Sequence, residues 1–294
     1  MTMQIQKLIR KCTAGIAGLI AALTVAGCTQ QAGGSSASGI PVTGKVTLTV
    51  FDVGKADAMV LQTANTVTVI DTGNKGDGKE IEKFLTAQEI DTIDNLIITH
   101  FDKDHVGGAA RVLNRLKVRN IYVPDYKSDS DEYLSFIQKA SANQNTITSV
   151  PAQQKVEWTA DDASFRLFAA NETDYGKNEE NDFSLCLYLQ HGNQKFLFAG
   201  DAEEARQQEL MALKLGEVDF LKFPYHGHYL PTTEQFLDTF APKVSVVCCS
   251  NKEYADSSTV ETLQKRGVEA YYTNDGTVTV VSDGASLTCT QTKE

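Results

Sequence analysis

A mixed α/β (α+β) domain, in which sheets pack together and helices cover them, is the fold class this sequence predicts, on three observations. Short apolar runs rich in Val, Ile, Leu and Thr recur along the chain. Amphipathic segments lie between some of them, and chemically active polar residues stand at the ends of several runs. Runs of four to eight such residues stopped by Gly, Asp or Pro read as strands. In order they are "KVTLTVFDVG", "TVTVIDTG", "NLIITH", "NIYVP", "SFRLFAA", "SLCLYLQHG", "KFLFAGD", "FLKFPYHG", "VSVVCCS" and "VTVVS". Apolar residues at three- and four-residue intervals, the spacing of one helix face, mark "KEIEKFLTAQEI", "GGAARVLNRL", "DEYLSFIQKASA", "AEEARQQELMALKL", "TTEQFLDTFA" and "STVETLQKRG". Early strands follow one another and helices enter later, which suits a sandwich of sheets covered by helices. No internal repeat is evident.

The first 27 residues read as a targeting segment. Lys7, Arg10 and Lys11 form a basic front, and residues 12–27 are apolar and rich in small side chains. That stretch is shorter than the roughly 20 residues a membrane-spanning helix needs. It ends in "VAGC", which resembles the lipobox of bacterial lipoproteins, with Cys28 as the lipid-carrying residue; a secretory signal cleaved elsewhere is the alternative. Residues 28–44 contain "TQQAGGSSASG", a flexible tether with nothing to build a core. The expected product is anchored to the outer face of a cell membrane, and residues 45–294 form one large domain.

The formal charge is −11, and removal of the basic front takes it to −14. This acidity argues against broad attraction to nucleic acid, so an anionic substrate must be held locally. Cys186, Cys248, Cys249 and Cys289 do not make a disulfide scaffold in a chain this long. Cys248 and Cys249 end a buried-strand pattern in which neighbouring side chains face opposite ways, and packed thiols are the expected reading. "SDSDE" and "NEEND" do not fit the twelve-residue calcium loop and read as solvated surface.

Asp71, His100, Asp201 and His226 each stand just past the apolar part of a predicted strand, with glycine soon after. Strand ends on one edge of a sandwich can converge. In "THFDKDHVGG", His100, Asp102 and Asp104 share strand parity, and His105 rejoins them once the chain bends toward a helix beginning near Gly107. Imidazole and carboxylate donors suit a divalent ion; turn or cap aspartates with exposed histidines are the alternative. Asp201 has a second reading as the cap of the helix that follows it. His191, in "QHGNQ", reads as a hairpin residue, and Lys103 and Lys222 as phosphate partners or solvated lysines.

The motif "THFDKDHVGG" resembles that of the metallo-β-lactamase fold, in the branch that contains ComEC-type nuclease-like domains. "VFDVGKADAMVL", "VIDTG", "NDFSLCLYLQHGNQKFLFAGDAEE", "LKFPYHGH" and "TNDGTVTVVSDG" are similar to the branch's other segments, in order, over about residues 45–285. The resemblance implies a four-layer αββα sandwich with one or two divalent ions at its rim. It implies one ion position served by Asp104, His105, Asp201 and His226, and a looser one served by His100 and Asp102 with Asp201. Asp71 then orients a ligand histidine, as metal centres commonly require. In this branch an aspartate, Asp102, replaces the middle histidine of the commoner pattern; a harder donor favours Mn2+ or Mg2+ relative to Zn2+. Three departures stand out. Tyr225 and His228 replace the branch's usual histidine and serine around His226. Asn181, Asp182 and Ser184, weak ligands, occupy the region of the usual third histidine. Lys55 and Ala56 alter the branch's first loop, although Asp57 is retained.

The expected function is a surface-anchored hydrolase using a hydroxide held by the ions, with Asp102 or Asp104 orienting or deprotonating the water. His228 could donate a proton to the leaving group, bind substrate or be a solvated loop residue. Phosphodiesters, nucleic acid among them, are the expected substrates. A lactone, a thioester or a small phosphorylated compound is the alternative, as is a binding lipoprotein whose centre has decayed; one scaffold hosts many chemistries.

Overall fold

The computed structural model describes residues 44–176 and 180–292. The expected lipidation site Cys28, the signal segment, nearly all of the tether and part of "NEEND" lie outside the described residues. Among the described residues no helix is long and apolar enough to cross a membrane.

The chain follows one course twice. In the first half, β1 (Val46–Val50), β2 (Ala58–Gln62) and β3 (Val67–Thr72) form an antiparallel meander. Three parallel strands follow, each reached through helix: β4 (Thr92–Ile97) through α1 (Gly78–Thr86), β5 (Lys117–Pro124) through α2 (Lys103–Val106) and α3 (Ala109–Arg115), and β6 (Ile147–Val150) through α4 (Asp131–Ala142). In the second half, β7 (Lys155–Ala160), β8 (Ala163–Phe168), β9 (Cys186–His191) and β10 (Gln194–Phe198) are antiparallel. Then β11 (Phe220–Lys222), β12 (Val244–Val247) and β13 (Glu269–Tyr272) run parallel to β10, reached through α5 (Glu204–Ala212), α6 (Thr233–Phe240) and α7 (Ser257–Lys265). Finally β14 (Thr277–Ser282) and β15 (Leu287–Thr292) return to the first sheet beside β1. The sheet orders are β15-β14-β1-β2-β3-β4-β5-β6 and β13-β12-β11-β10-β9-β8-β7. The halves share topology without a visible sequence repeat, because a meander plus crossovers demands only the pattern of apolar positions.

Strand alternation builds the layers. Leu48, Val50, Met59, Leu61, Ile70, Leu187, Leu189, Phe196, Phe198 and Val280 point between the sheets and form an apolar central core. Their sequence neighbours face outward. Val60, Val69 and Leu96 meet Ile81 and Leu85 of α1, Val112 of α3 and Phe136 of α4. On the other side Leu197, Leu221 and Val247 meet Leu210 of α5, Phe236 and Phe240 of α6 and Leu263 of α7. Each fully buried side chain of this size contributes about 1.5–3 kcal/mol of hydrophobic stabilisation. The result is the four-layer αββα arrangement.

All six predicted helices form, α4 with the bounds the periodicity gave. The predicted runs omit the buried strand β2, which falls only within the motif "VFDVGKADAMVL", and also the four strands β6, β7, β13 and β15. Those four are edge or near-edge strands with half-exposed, Thr- or Glu-bearing patterns, so they lack the apolar density that marks the central strands. The vicinal cysteines lie just past β12, both buried, with Cys248 in the central core and Cys249 in the outer one; the four described cysteines are free thiols.

Candidate metal centre

Parallel strands bring their carboxyl ends to one edge of each sheet. Asp71 ends β3, His100 follows β4, Asp201 follows β10, and Lys222 and His226 lie at and beyond the end of β11. The segment after β4 does not continue as a strand. It caps at Asp102 and turns into the one-turn helix α2, so the expected parity of His100, Asp102 and Asp104 is replaced by helical spacing, four residues before the predicted start. Adjacent helix positions are about 100° apart, which sends His105 inward, fully buried, while the Asp104 side chain stays 18% exposed. The glycine pair closes this turn onto its neighbour: a Cβ on Gly108 would stand 2.2 Å from the Thr72 carbonyl oxygen and 2.6 Å from the Gly78 nitrogen.

His226 is presented by a left-handed turn, with φ of +49° at Tyr225, +52° at His226 and +83° at Gly227. A non-glycine residue pays about 1–2 kcal/mol for that conformation, and strain of this kind gathers at functional sites. It is offset by bonds from Gly227 N to the Pro224 carbonyl (3.2 Å), His228 N to the Tyr225 carbonyl (2.8 Å) and Asp256 N to the Gly227 carbonyl (3.1 Å).

The hydrogen bonds fix the histidine tautomers. His226 Nδ1 lies 2.9 Å from the Cys248 carbonyl, which can only accept. His105 Nδ1 lies 2.9 Å from Asp71 Oδ2. Thr99 Oγ1 donates to Asp71 Oδ2 at 2.7 Å, which leaves the same hydroxyl oxygen to accept from His100 Nδ1 at 3.1 Å. All three rings therefore point Nδ1–H at a protein oxygen and turn Nε2 into the cluster, buried without a hydrogen-bond partner, so that Nε2 is the atom free to ligate once its proton is displaced. Those atoms converge on carboxylate oxygens. Asp201 Oδ2 lies 2.9 Å from His226 Nε2 and 3.3 Å from His105 Nε2, and Asp104 Oδ2 lies 3.3 Å from His226 Nε2. The His100 and His105 ring centroids are 4.0 Å apart, and His100 Nε2 is 3.7 Å from Asp102 Oδ2. Acceptors facing acceptors at these distances are satisfied only by a proton or a cation between them. The donor set therefore fits a divalent ion.

Electrostatics describe the same balance. Burial opposes charge on His105, but Asp201, Asp71 and Asp57 outweigh it and hold its pKa well above the ordinary value. His226 is pushed up to about 9, against burial, by Asp201 and Asp104. Asp104 and Asp201 are drawn below the carboxylate range against their burial, Asp104 by His226 and His105, Asp201 by His226, His105 and Lys222. His100 goes the other way, to about 4, through burial and the charge of His105.

Two residues central to this geometry were not singled out in the sequence. Thr99 ties Asp71 to His100 and also donates its amide to Asp71 Oδ1 at 2.8 Å. Asp57, retained in "DVGKADA", is fully buried, and with His105, Asp201 and His226 it offers ligand atoms within 4.8 Å of one another. Its oxygens approach the Nδ1 atoms of His105 (3.9 Å) and His226 (3.8 Å), the side opposite the free lone pairs, and they pair with Lys222. Asp57 therefore reads as a counter-ion beneath the cluster.

Lys222, expected as a phosphate partner or a solvated lysine, is neither: it is fully buried among Asp57, Asp201 and the Gly200 carbonyl. Lys103 is exposed. Asp201 does not cap α5; Asp182 does, accepting from the amides of Glu203 (2.9 Å) and Arg206 (3.1 Å), so this buried part of "NEEND" is not solvated surface. Ser184 accepts from the Asp201 amide at 3.1 Å and helps place that carboxylate. Asn181 turns to Glu203, 2.7 Å away. His191 is a hairpin residue as expected, yet buried, with Nδ1 2.9 Å from Ser282 Oγ. His228, 39% exposed in its side chain, faces Asp256 at 3.6 Å and the Tyr225 ring at 4.7 Å.

Residues 51–250 match the family model of the metallo-beta-lactamase superfamily. Among curated proteins, the chain is 27% identical over 205 residues to ComE operon protein 3 of Bacillus subtilis (68% of this chain, 26% of that protein). It is 24% identical over 202 residues to Recombination protein 2 of Haemophilus influenzae (67% and 23%). It thus matches about a quarter of the length of these relatives. Among solved structures it is similar to Igni18, a metallo hydrolase from Ignicoccus hospitalis, with a TM-score of 0.53 at 17% identity over 85% of this chain and 100% of that one. It is also similar to Zn(2+)-bound PqqB from Methylobacterium extorquens, with a TM-score of 0.52 at 13% identity over 75% and 86%. At these identities the structural likeness shows the fold alone.

Proposed function

Because the chain belongs to the metallo-β-lactamase superfamily, we propose that it is a metal-dependent hydrolase of phosphodiesters, anchored outside the cell through Cys28. Asp104, His105, Asp201 and His226 hold one ion, and His100 and Asp102 with Asp201 border a second, looser position. The observation that carries this reading is the convergence of the buried Nε2 atoms of His105 and His226 on Asp201 Oδ2, with His100 Nε2 facing Asp102 alongside. Two or three carboxylates among the donors favour Mn2+ or Mg2+ relative to an all-histidine set, with Zn2+ still accommodated.

A divalent ion in such a site lowers the pKa of water in contact with it, toward about 7 in favourable zinc sites, and polarises the group being cleaved. The protein's residues do the rest. Asp102, 44% exposed and held above the ordinary carboxylate pKa by its partial burial, orients the attacking water and accepts its proton, with Asp104 beside it facing His226. Asp71 holds the His105 ring in place. His228, on the loop just past His226, donates a proton to the departing oxygen. Lys103, exposed between Asp102 and Asp104, supplies local positive charge that the acidic chain otherwise lacks. The name of one curated relative, Recombination protein 2, speaks of recombination, which supports nucleic acid as the source of the phosphodiester.

The test is cleavage of a single-stranded oligonucleotide with added Mn2+, run beside a lactone and a thioester, for the wild type and Asp104→Ala. Wild-type phosphodiester turnover should fall at least about 100-fold in the variant. Equal rates would remove the mechanism, and turnover of the lactone or thioester alone would reassign the substrate.

A further inference from the structure

Lys222 is a fully buried ammonium surrounded by three oxygens. It donates to the Gly200 carbonyl at 3.0 Å, lies 3.4 Å from Asp201 Oδ1, and forms a close ion pair with Asp57 Oδ2. The two oxygens of Asp201 are thereby divided. Oδ1 faces Lys222, while Oδ2 faces His105 and His226. The pair also joins the two sheets, since Asp57 precedes β2 and Lys222 ends β11. Backbone bonds hold Asp57 in turn: its amide donates to the Asp104 carbonyl at 3.0 Å, and its carbonyl accepts from the Gly73 amide at 2.7 Å.

We propose that Lys222, clamped by Asp57, is a positioning residue that makes Asp201 offer a single oxygen to the metal centre. This inference rests on the reading that Asp201 helps to hold an ion. A carboxylate free to rotate can grip one ion through both oxygens; with Oδ1 engaged by an ammonium, Asp201 presents Oδ2 alone, between the two histidine lone pairs. The oxygen that Asp201 would offer to an ion is then set from beneath, by a residue that is not itself among the ligands. Groups that orient a ligand in this way typically govern metal affinity by about 10–100-fold.

The test uses Co2+ as probe, with the visible spectrum and a competition titration as readouts. Lys222→Met removes the ammonium at similar volume but leaves Asp57 as an unpaired buried charge, which destabilises strongly. Asp57→Asn/Lys222→Met removes both charges together, a change that is often close to neutral for folding. The double variant should keep a near wild-type Tm, bind Co2+ about 10–100-fold more weakly, and give a weaker visible band as Asp201 becomes bidentate and the coordination number rises. Wild-type Co2+ affinity and spectrum in the folded double variant would reduce Lys222 to a core ion pair and overturn the proposal. Failure of the wild type itself to bind Co2+, Mn2+ or Zn2+ would instead sink the metal reading.

Discussion

His105 Nδ1 and Asp71 Oδ2 lie 2.9 Å apart with both side chains fully buried. Asp71 adopts a left-handed backbone, φ +54°, and accepts from the Thr99 amide and hydroxyl as well. One carboxylate at the end of β3 thus fixes the tautomer and the angle of a ring carried by α2. Asparagine tolerates the left-handed region as aspartate does, so Asp71→Asn isolates the charge and the acceptor geometry from the backbone. Mn2+ or Zn2+ affinity should drop about 10–100-fold, read by competition with a chromophoric chelator. Unchanged affinity would mean that Asp71 only braces the Thr99 turn.

Gly108 makes a second, purely steric prediction. Its Cβ position is filled by backbone, the Thr72 carbonyl and the Gly78 nitrogen, and backbone cannot swing aside as a side-chain tip can. Gly108→Ala should cost about 3 kcal/mol of stability and shift α2 away from β3, lowering metal affinity together with Tm. Gly76 supplies the control: its φ is +106°, but nothing lies within 4 Å of its Cβ position. Alanine there should carry backbone strain alone and leave metal affinity unchanged.

What the sequence made legible follows from the range of each interaction. Most central strands announce themselves because both faces are buried, as in "TVTVIDT" and "KFLF", although the short buried β2 does not, whereas β7 and β15 alternate with exposed positions and blend into loops. The "HFDKDH" cluster was readable from donor chemistry and from family resemblance. Two features there were not: α2 is a single turn, too short for periodicity to reveal, and the contact of Lys222 with Asp57 spans 165 positions of chain and two sheets. A lysine in an apolar run reads as solvated until the topology shows which carboxylates lie beneath it. Asp182, read from the sequence as a weak ligand, caps α5 in place of the second reading of Asp201 for a similar reason, because which carboxylate caps α5 depends on the tertiary path between β8 and β9.

Metal removal should destabilise the fold measurably. The converging acceptors of His105, His226, Asp104 and Asp201 gain an ion only in the folded state, so ion binding adds to stability by mass action, about 2.7 kcal/mol at a hundredfold excess over Kd. For a domain of this size each kcal/mol moves Tm by roughly 2–4 °C. Chelator-treated protein should therefore gain about 5–10 °C on addition of Mn2+ or Zn2+ in thermal denaturation. Asp104→Ala should lose most of that gain. Absence of any shift in the wild type with either ion would remove the centre from the account.

His228 lies two residues past His226, with Nδ1 facing the Asp256 carboxylate at 3.6 Å and its ring against Tyr225. A carboxylate on Nδ1 leaves Nε2 as the atom available to a substrate, and Asp256 is itself tied to the turn through Tyr229 N at 2.8 Å. If this ring delivers the proton to the departing oxygen, His228→Gln should lower kcat on a phosphodiester by about 100-fold while the bound metal content and Tm stay at wild-type values. A substrate whose leaving group needs no proton, such as a nitrophenyl phosphodiester, should lose far less. Equal losses on both substrates would assign His228 to binding, and no loss on either would make it a surface residue of the loop.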